Sequence, residues 1–405
     1  MSQATEALGA KPTPYTRLIG VVSAAHFVSH YYILILAPLL PFVRAEYGVS
    51  YTEIGLAFAA FNIVSAALQT PAGFLVDRLG ARILLIAGLV IGATAFTIAG
   101  LVNSFWLLVA MFALAGVGNT VYHPADYTLL SDHIPPKRIG QAFSIHTFAG
   151  MLGSAAAPAS LLIMEGMWGW RGAFIGAGIF GFAVAAILLA MGNNEPAAAA
   201  AQPPKADAGK QANAWRLLSS APILLNLIFF ILLALMSGGL FNYSVVALGA
   251  LHGTPVRIAN TALSSLLLLS AVGVLIGGVV AMRTSRHGLV AALGLAGIAL
   301  GATLIANVDL GPLALIAVMT ACGFFFGVIM PSRDMIVREV TPPGSFGKVF
   351  GFVTTGFNIG GIISPMIFGA IMDHGNPRLV FLSVAAFSLI AVLTVATLPK
   401  RPAGA

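Results

Sequence analysis

Ile134-Pro135-Pro136-Lys137-Arg138-Ile139-Gly140-Gln141-Ala142-Phe143 returns 207 positions later as Thr341-Pro342-Pro343-Gly344-Ser345-Phe346-Gly347-Lys348-Val349-Phe350. The Pro-Pro step, the glycine and the phenylalanine keep their places. Working outward at the same offset, Gly116 pairs with Gly323, Pro124 with Pro331, Gly153 with Gly360, Pro158 with Pro365, Arg171 with Arg378 and Phe174 with Phe381. All four prolines between residues 116 and 180 find a proline partner, in a chain with only 22 prolines to offer. The chain is therefore one unit written twice. If each unit holds an even number of membrane spans, the repeat keeps its orientation and the halves are related by an axis along the membrane normal.

Composition says what the unit is made of. Of 405 residues, 59% are hydrophobic and only 8% are charged, against roughly 25% charged in a soluble domain. Such a chain cannot clothe a water-facing surface, which excludes a secreted enzyme or a disordered scaffold. The net charge of +7 does not mark a nucleic-acid partner, because the basic residues are scattered singly between apolar runs. The partner expected from composition is the lipid bilayer. The single cysteine, Cys322, rules out an intramolecular disulfide and a Cys-rich metal site. The polar Met1–Arg17 stretch, followed by an apolar run too long for a cleaved leader, reads as a tail before a retained first span.

A membrane-crossing helix takes about 20 apolar residues, and breaks between apolar runs give twelve. They are 18–43, 53–74, 83–102, 105–128, 139–163, 171–191, 221–248, 259–282, 288–307, 311–331, 347–371 and 378–397. The expected fold is all-α and integral to the membrane, with twelve transmembrane helices in two six-helix bundles. A tail (1–17) leads to the first bundle (18–191), a linker (192–220), the second bundle (221–397) and a final tail (398–405). The linker assignment rests on an alanine run, Pro203-Pro204 and scattered charges. Four of the 20 Lys and Arg residues (Arg44, Arg171, Arg257 and Arg378) fall on one side, and the other sixteen fall with the termini. The positive-inside rule then makes the termini and linker cytoplasmic, in a cell inner membrane.

Between the second and third spans the chain reads Gly73-Phe74-Leu75-Val76-Asp77-Arg78-Leu79-Gly80-Ala81-Arg82, which suggests a tight turn with glycines at both ends and an acid among bases. This run resembles the cytoplasmic signature loop of the major facilitator superfamily, departing from its pattern at Val76 and Ala81 and carrying Arg82 for a lysine. With twelve spans and a six-plus-six repeat, the resemblance covers about 380 residues. It implies a transporter that rocks two bundles about a central site, with Gly73, Asp77, Arg78, Gly80 and Arg82 gating the cytoplasmic side. A second stretch, Val121-Tyr122-His123-Pro124-Ala125-Asp126 and then Gly140-Gln141-Ala142-Phe143-Ser144, is similar to the fosmidomycin-resistance branch, which also carries a histidine comparable with His26. That branch implies proton-driven export of small drugs. The span-five antiporter motif survives here only as Gly153, three residues, then Ala157-Pro158.

Other chemistry is not written in the chain. Gly347-Lys348 is followed by Val349, so there is no Walker loop, and neither a His-Glu-x-x-His helix nor a Gly-x-Ser-x-Gly elbow occurs. No enzyme activity, cofactor or metal is expected. Five Gly-x-x-x-Gly pairs, beginning at Gly88, Gly273, Gly297, Gly323 and Gly356, suit close helix packing within one chain. The functional unit is expected to be a monomer.

The mid-span polar residues are the candidates for a site. Read from the spans, no lysine or arginine lies in mid-membrane and every acid lies near a span end, which leaves the histidines. His26, His30, His123 and His146 are proton-coupling candidates, because imidazole titrates near pH 6.5 and ionisable groups at membrane depth usually face a cavity or partner. His26 and His30 share a helix face and lie about 14 and about 20 Å in from Arg17 at 1.5 Å per residue. His123 and His146 are expected nearer the cytoplasmic end, on a proton exit. Tyr31, Asn62, Asn119, Tyr122, Asn242, Tyr243 and Asn358 are substrate-cavity candidates. The polarity leans to the first bundle, which leaves the second to supply more of the apolar wall. The leading expectation is proton-coupled export of a small neutral or amphipathic organic molecule. The alternative is a symporter, uniporter or exchanger for small carboxylates, for which Arg44 or Arg333 would have to reach inward from an end.

Overall fold

The computed structural model describes residues 14–191, 216–342 and 345–396. These are helical throughout, with no strand among them. Span one is Pro14–Ile33, continued through a short 3-10 turn (Ala37–Leu39) and Leu40–Tyr47. Span two is Tyr51–Leu79, span three Ala81–Leu101, and span four is Phe105–Asn119 followed by Tyr122–His133. One continuous helix, Pro136–Ala190, holds spans five and six. It changes direction at Gly169, whose φ of 70° and ψ of 170° leave the helical region. A positive φ favours glycine, and this break falls between the two spans read from the sequence.

The second half repeats the plan. Span seven runs Ala221–Gly238, a π-helical turn Gly239–Tyr243, and Ser244–His252. Spans eight to twelve are Val256–Arg283, His287–Asn307, Pro312–Val340, Phe346–Asp373 and Pro377–Ala396. Counting the long helix as two gives twelve crossings. The proposed linker and both tails lie almost wholly outside the described residues.

Helix ends are set by local chemistry. Ser50 and Glu53 form a reciprocal capping box that starts span two, with Ser50 N donating to Glu53 Oε2 at 2.8 Å and Glu53 N to Ser50 Oγ at 3.0 Å. Arg82 closes the other end of the first bundle by donating to the Leu188 carbonyl at 2.7 Å, one of the last carbonyls of span six.

Three readings need correction. The signature run is not a turn with glycines at both ends. Gly73, Asp77 and Arg78 belong to the last two turns of span two, and only Gly80 (φ 91°) turns the chain. The paired prolines Pro124 and Pro331, read as matching parts of the repeat, do not act alike: span four breaks at Thr120–Val121, just before Pro124, whereas Pro331 lies within an unbroken span ten. Proline cannot donate to the carbonyl four residues back, which in span four is that of Thr120. The third correction concerns charge: span four runs on to His133, so Asp126 lies about two turns from its end and not at it, and span ten runs on to Val340, so Arg333 sits within the helix.

Small residues set the packing. A Cβ at Gly116 would lie 2.6 Å from the Phe61 carbonyl, and at its repeat partner Gly323 1.9 Å from that of Leu266. Spans two and four, and again eight and ten, are thus in backbone contact. Every glycine of the five Gly-x-x-x-Gly pairs lies close against another part of its own chain, backbone or side chain. The close packing those motifs provide is internal.

The bundles join at the end away from the termini. Asp373, closing span eleven, accepts from the backbone N–H groups of Tyr51 and Thr52 at 2.6 and 2.8 Å. Asn62 donates to the Gly361 carbonyl at 3.3 Å, and Asn260 to that of Pro38 at 3.5 Å. Toward the termini, a cavity of about 390 Å³ separates span five from spans eight and ten.

Candidate functional site

Span one packs on span five through glycines. Gly153 faces the backbone of Phe27, and Gly150 leaves room for the rings of His26 and His30. That approach stacks His26 on His146 with ring centres 3.8 Å apart. His30 and His123 each stand edge-on to His26, with ring centres 4.6 and 5.4 Å from its own. The four histidines, read from the sequence as two groups, are one cluster.

Hydrogen bonds fix part of its protonation. The Nδ1 of His26 lies 2.9 Å from the His146 carbonyl. A carbonyl only accepts, so His26 carries a proton on Nδ1, and in the neutral ring Nε2 is bare. That Nε2 is buried with no partner among the described residues. His30 Nδ1 lies 3.2 Å from Ser154 Oγ.

Below the stack sits a residue that the span-by-span reading passed over. Asp126 Oδ2 is 3.7 Å from His146 Nε2, and both side chains are 0% exposed. Neither carboxylate oxygen of Asp126 and neither ring nitrogen of His146 has a hydrogen-bond partner among the described residues. The available signal was spacing: Asp126 follows His123 by three residues, on the same helix face. Tyr127 lies beside the cluster, its ring 5.8 Å from His146 and 6.1 Å from His123. His123 and Tyr127 are exposed, so the cluster has an accessible rim over a closed floor.

The cavity candidates divide. Tyr31 is buried and shares a 2.8 Å hydrogen bond with Ser160. Tyr122 is buried with an unpartnered hydroxyl, and Asn119 donates to Ser65 at 3.2 Å. Tyr243 and Asn62 belong to the seal between bundles; the Tyr243 hydroxyl donates to the Pro365 carbonyl at 3.0 Å. Asn242, in the π-helical turn, and Asn358 are half-buried with no side-chain hydrogen bond to a described residue. Of the gating candidates, Asp77 and Arg78 are exposed with no ion-pair partner among the described residues, and Arg82 clasps span six. Of the two arginines considered for an anion, Arg44 stacks on Tyr51 at 4.0 Å in the seal. Arg333 lies within span ten, its side chain 12% exposed.

Comparison with known proteins fits this architecture. The sequence model of the Major Facilitator Superfamily matches residues 22–255 and 227–405, nearly the whole chain. This chain belongs to the major facilitator superfamily. It is a multi-pass membrane transporter, not an enzyme. It is 27% identical to the probable sulfoacetate transporter SauU of Cupriavidus necator, across 95% of this chain and 93% of that protein. Identity to the fosmidomycin resistance protein of Escherichia coli is 23%, over 93% and 92% of the two chains. A 31% match to the probable L-galactonate transporter of Escherichia coli spans 35% of this chain and 32% of that one. Among solved structures, the nucleoside transporter NupG superposes with a TM-score of 0.78 at 14% identity, covering 95% of this chain and all of that one. An inward-facing, occupied bacterial homologue of the human lysosomal transporter Spinster gives 0.74 at 14% identity, covering 95% and 97%.

Proposed function

We propose that this superfamily member is a proton-coupled secondary transporter of a small organic molecule, with the proton carried by Asp126 and the histidines stacked above it. One observation carries the reading: Asp126 is wholly buried with both oxygens unpartnered, 3.7 Å from a wholly buried His146. An isolated ionised carboxylate in such surroundings costs several kcal/mol or more. Its carboxyl therefore either holds a proton or shares one with His146, and the choice responds to any movement that changes their separation. The bare Nε2 of His26 offers a second resting place for the same proton. Exposed His123 and Tyr127 supply the rim through which it leaves. An alternating-access cycle that opens and closes this rim then links proton movement to substrate movement.

The topology proposed is an inner-membrane protein with cytoplasmic termini, supported by the sixteen-to-four partition of basic residues. Under that topology the seal at Asp373 and Tyr51 is periplasmic and the histidine rim faces the cytoplasm. Relatives support two substrate readings: efflux of a neutral or amphipathic compound, as the fosmidomycin resistance protein suggests, and movement of an organic anion, as SauU suggests.

The test is proton-driven accumulation in reconstituted vesicles, alongside substrate counterflow without a gradient. Asp126→Asn and His146→Gln are expected to lose accumulation while keeping counterflow. Full accumulation by both variants would place coupling elsewhere.

A further inference from the structure

The internal repeat makes Asp126 and Arg333 equivalent, each two residues beyond the paired prolines Pro124 and Pro331. In the first bundle that place holds the acid of the titratable cluster. In the second it holds a guanidinium, and the surroundings differ to match. Arg333 Cζ lies 4.7 Å from the ring centre of Phe230 in span seven and 5.2 Å from that of Phe357 in span eleven. Phe357 is itself the repeat partner of Gly150, the glycine that admits the histidines.

The hydrogen bonds leave the guanidinium half used. Its Nε and Nη2 both reach Asp334 Oδ1, at 2.8 and 2.7 Å, which engages one edge of the fork. Nη1 points at the Met330 sulfur at 3.3 Å, a weak acceptor. Of five N–H groups, the outer two on Nη1 and Nη2 meet no oxygen among the described residues.

The bond to Asp334 does not account for a charge here. The ion pair joins neighbouring residues of one helix, so it ties no two spans together. A leucine or methionine between Phe230 and Phe357 would pack without the cost of a charge at this depth. The guanidinium instead lies among spans seven, ten and eleven, over the rings of Phe230 and Phe357.

We propose that Arg333, held between Phe230 and Phe357, binds the oxyanion of a small organic anion, a carboxylate or sulfonate, as the transported substrate. Planar, edge-on approach to a guanidinium suits two parallel N–H···O bonds. Asp334 holds the fork in the empty state and competes with the incoming anion. This deepens the transporter reading and selects its organic-anion form, with the anion in the second bundle and the proton in the first.

The experiment is a binding measurement on the purified full-length protein in detergent at fixed ionic strength, with no proton gradient. The probes are benzoate, D-gluconate and methanesulfonate, each against its uncharged counterpart: benzamide, D-glucose and dimethyl sulfone. At least one anion is expected to raise the thermal midpoint while its counterpart does not, and the responding probe separates carboxylate from sulfonate. Arg333→Gln should weaken the apparent Kd about tenfold or more, and Arg333→Lys should restore little of it, because the fork is lost. Asp334→Asn should tighten binding, a gain that misfolding cannot imitate. No response to any anion, an equal response to the uncharged set, an unchanged response in Arg333→Gln, or no tightening in Asp334→Asn would each overturn the proposal. Proton coupling is read separately in vesicles through Asp126→Asn, so either idea can fail alone.

Discussion

Gly150 has no room for a methyl group. A Cβ there would lie 2.6 Å from His26 Cε1 and 3.0 Å from His30 Cδ2, and the His26 ring is pinned from behind by its bond to the His146 carbonyl. Gly150→Ala is therefore expected to tilt His26 off His146 and to lower proton-driven accumulation more than counterflow, at a stability cost of roughly 1–3 kcal/mol. Accumulation and counterflow measured in the same vesicles check this; equal losses in both would mean general damage. Asp77 is the opposite case. It is exposed at the end of span two without an ion-pair partner among the described residues, so Asp77→Asn should leave thermal stability within about 0.5 kcal/mol. Its effect belongs to the other access state, and slower turnover with unchanged stability is the expected result; wild-type turnover would remove Asp77 from the gate. The sequence marked each histidine singly as an ionisable group at membrane depth. It did not reveal that four of them meet, because contact between spans one, four and five is tertiary. Asp126 was passed over because it lay two residues from the apolar limit at 128, and the polar turns beyond that limit stay helical to His133; Arg333, read as reaching inward from an end, lies within span ten for the same reason.

The breaks in the first helix of each half follow the repeat, although the break in span four does not. Span one is interrupted between Ile33 and Ala37, and span seven winds into a π turn at Gly239–Tyr243. Ile33 and Ala37, moved by 207 residues, become 240 and 244, which coincide with that turn. The two first helices of the repeat thus share an irregular segment, a feature often found at functional sites; the π turn carries the unpartnered amide of Asn242. Nothing in the apolar pattern signals it, since Leu34-Ile35-Leu36 and Gly239-Leu240-Phe241 read as ordinary membrane sequence. Paired glycines were legible as architecture, and two of them predict different outcomes. A Cβ at Gly153 would fall 2.2 Å from the Phe27 carbonyl, whereas at Gly140 it would meet nothing within 4 Å. Gly153→Ala should push span one off span five and lower the thermal midpoint, while Gly140→Ala should be neutral or stabilising by about 0.4–1 kcal/mol. A thermal melt of both purified variants checks the contrast, and equal midpoints would contradict it.

At the scale of the whole molecule, the twelve spans and the six-plus-six division were legible because apolar length and a constant offset are properties of the chain alone. The side of the molecule on which the bundles meet was not, since it depends on which access state is occupied. Here they are closed at the end away from the termini. A Cβ on Gly361 would lie 3.2 Å from Asn62 Cγ, the place an introduced sulfur would take, close enough for a disulfide across the seal. The chain's single cysteine, Cys322, is buried and offers no competing thiol at the surface. Asn62→Cys combined with Gly361→Cys is expected to cross-link under mild oxidation and to stop transport, because span two can then no longer part from span eleven. Reducing the same sample should restore the rate of the never-oxidised double variant, which separates the lock from the substitutions. Undiminished transport by fully cross-linked protein would show that these two spans stay together through the cycle, and that the bundles part along the seam of spans five and eight instead.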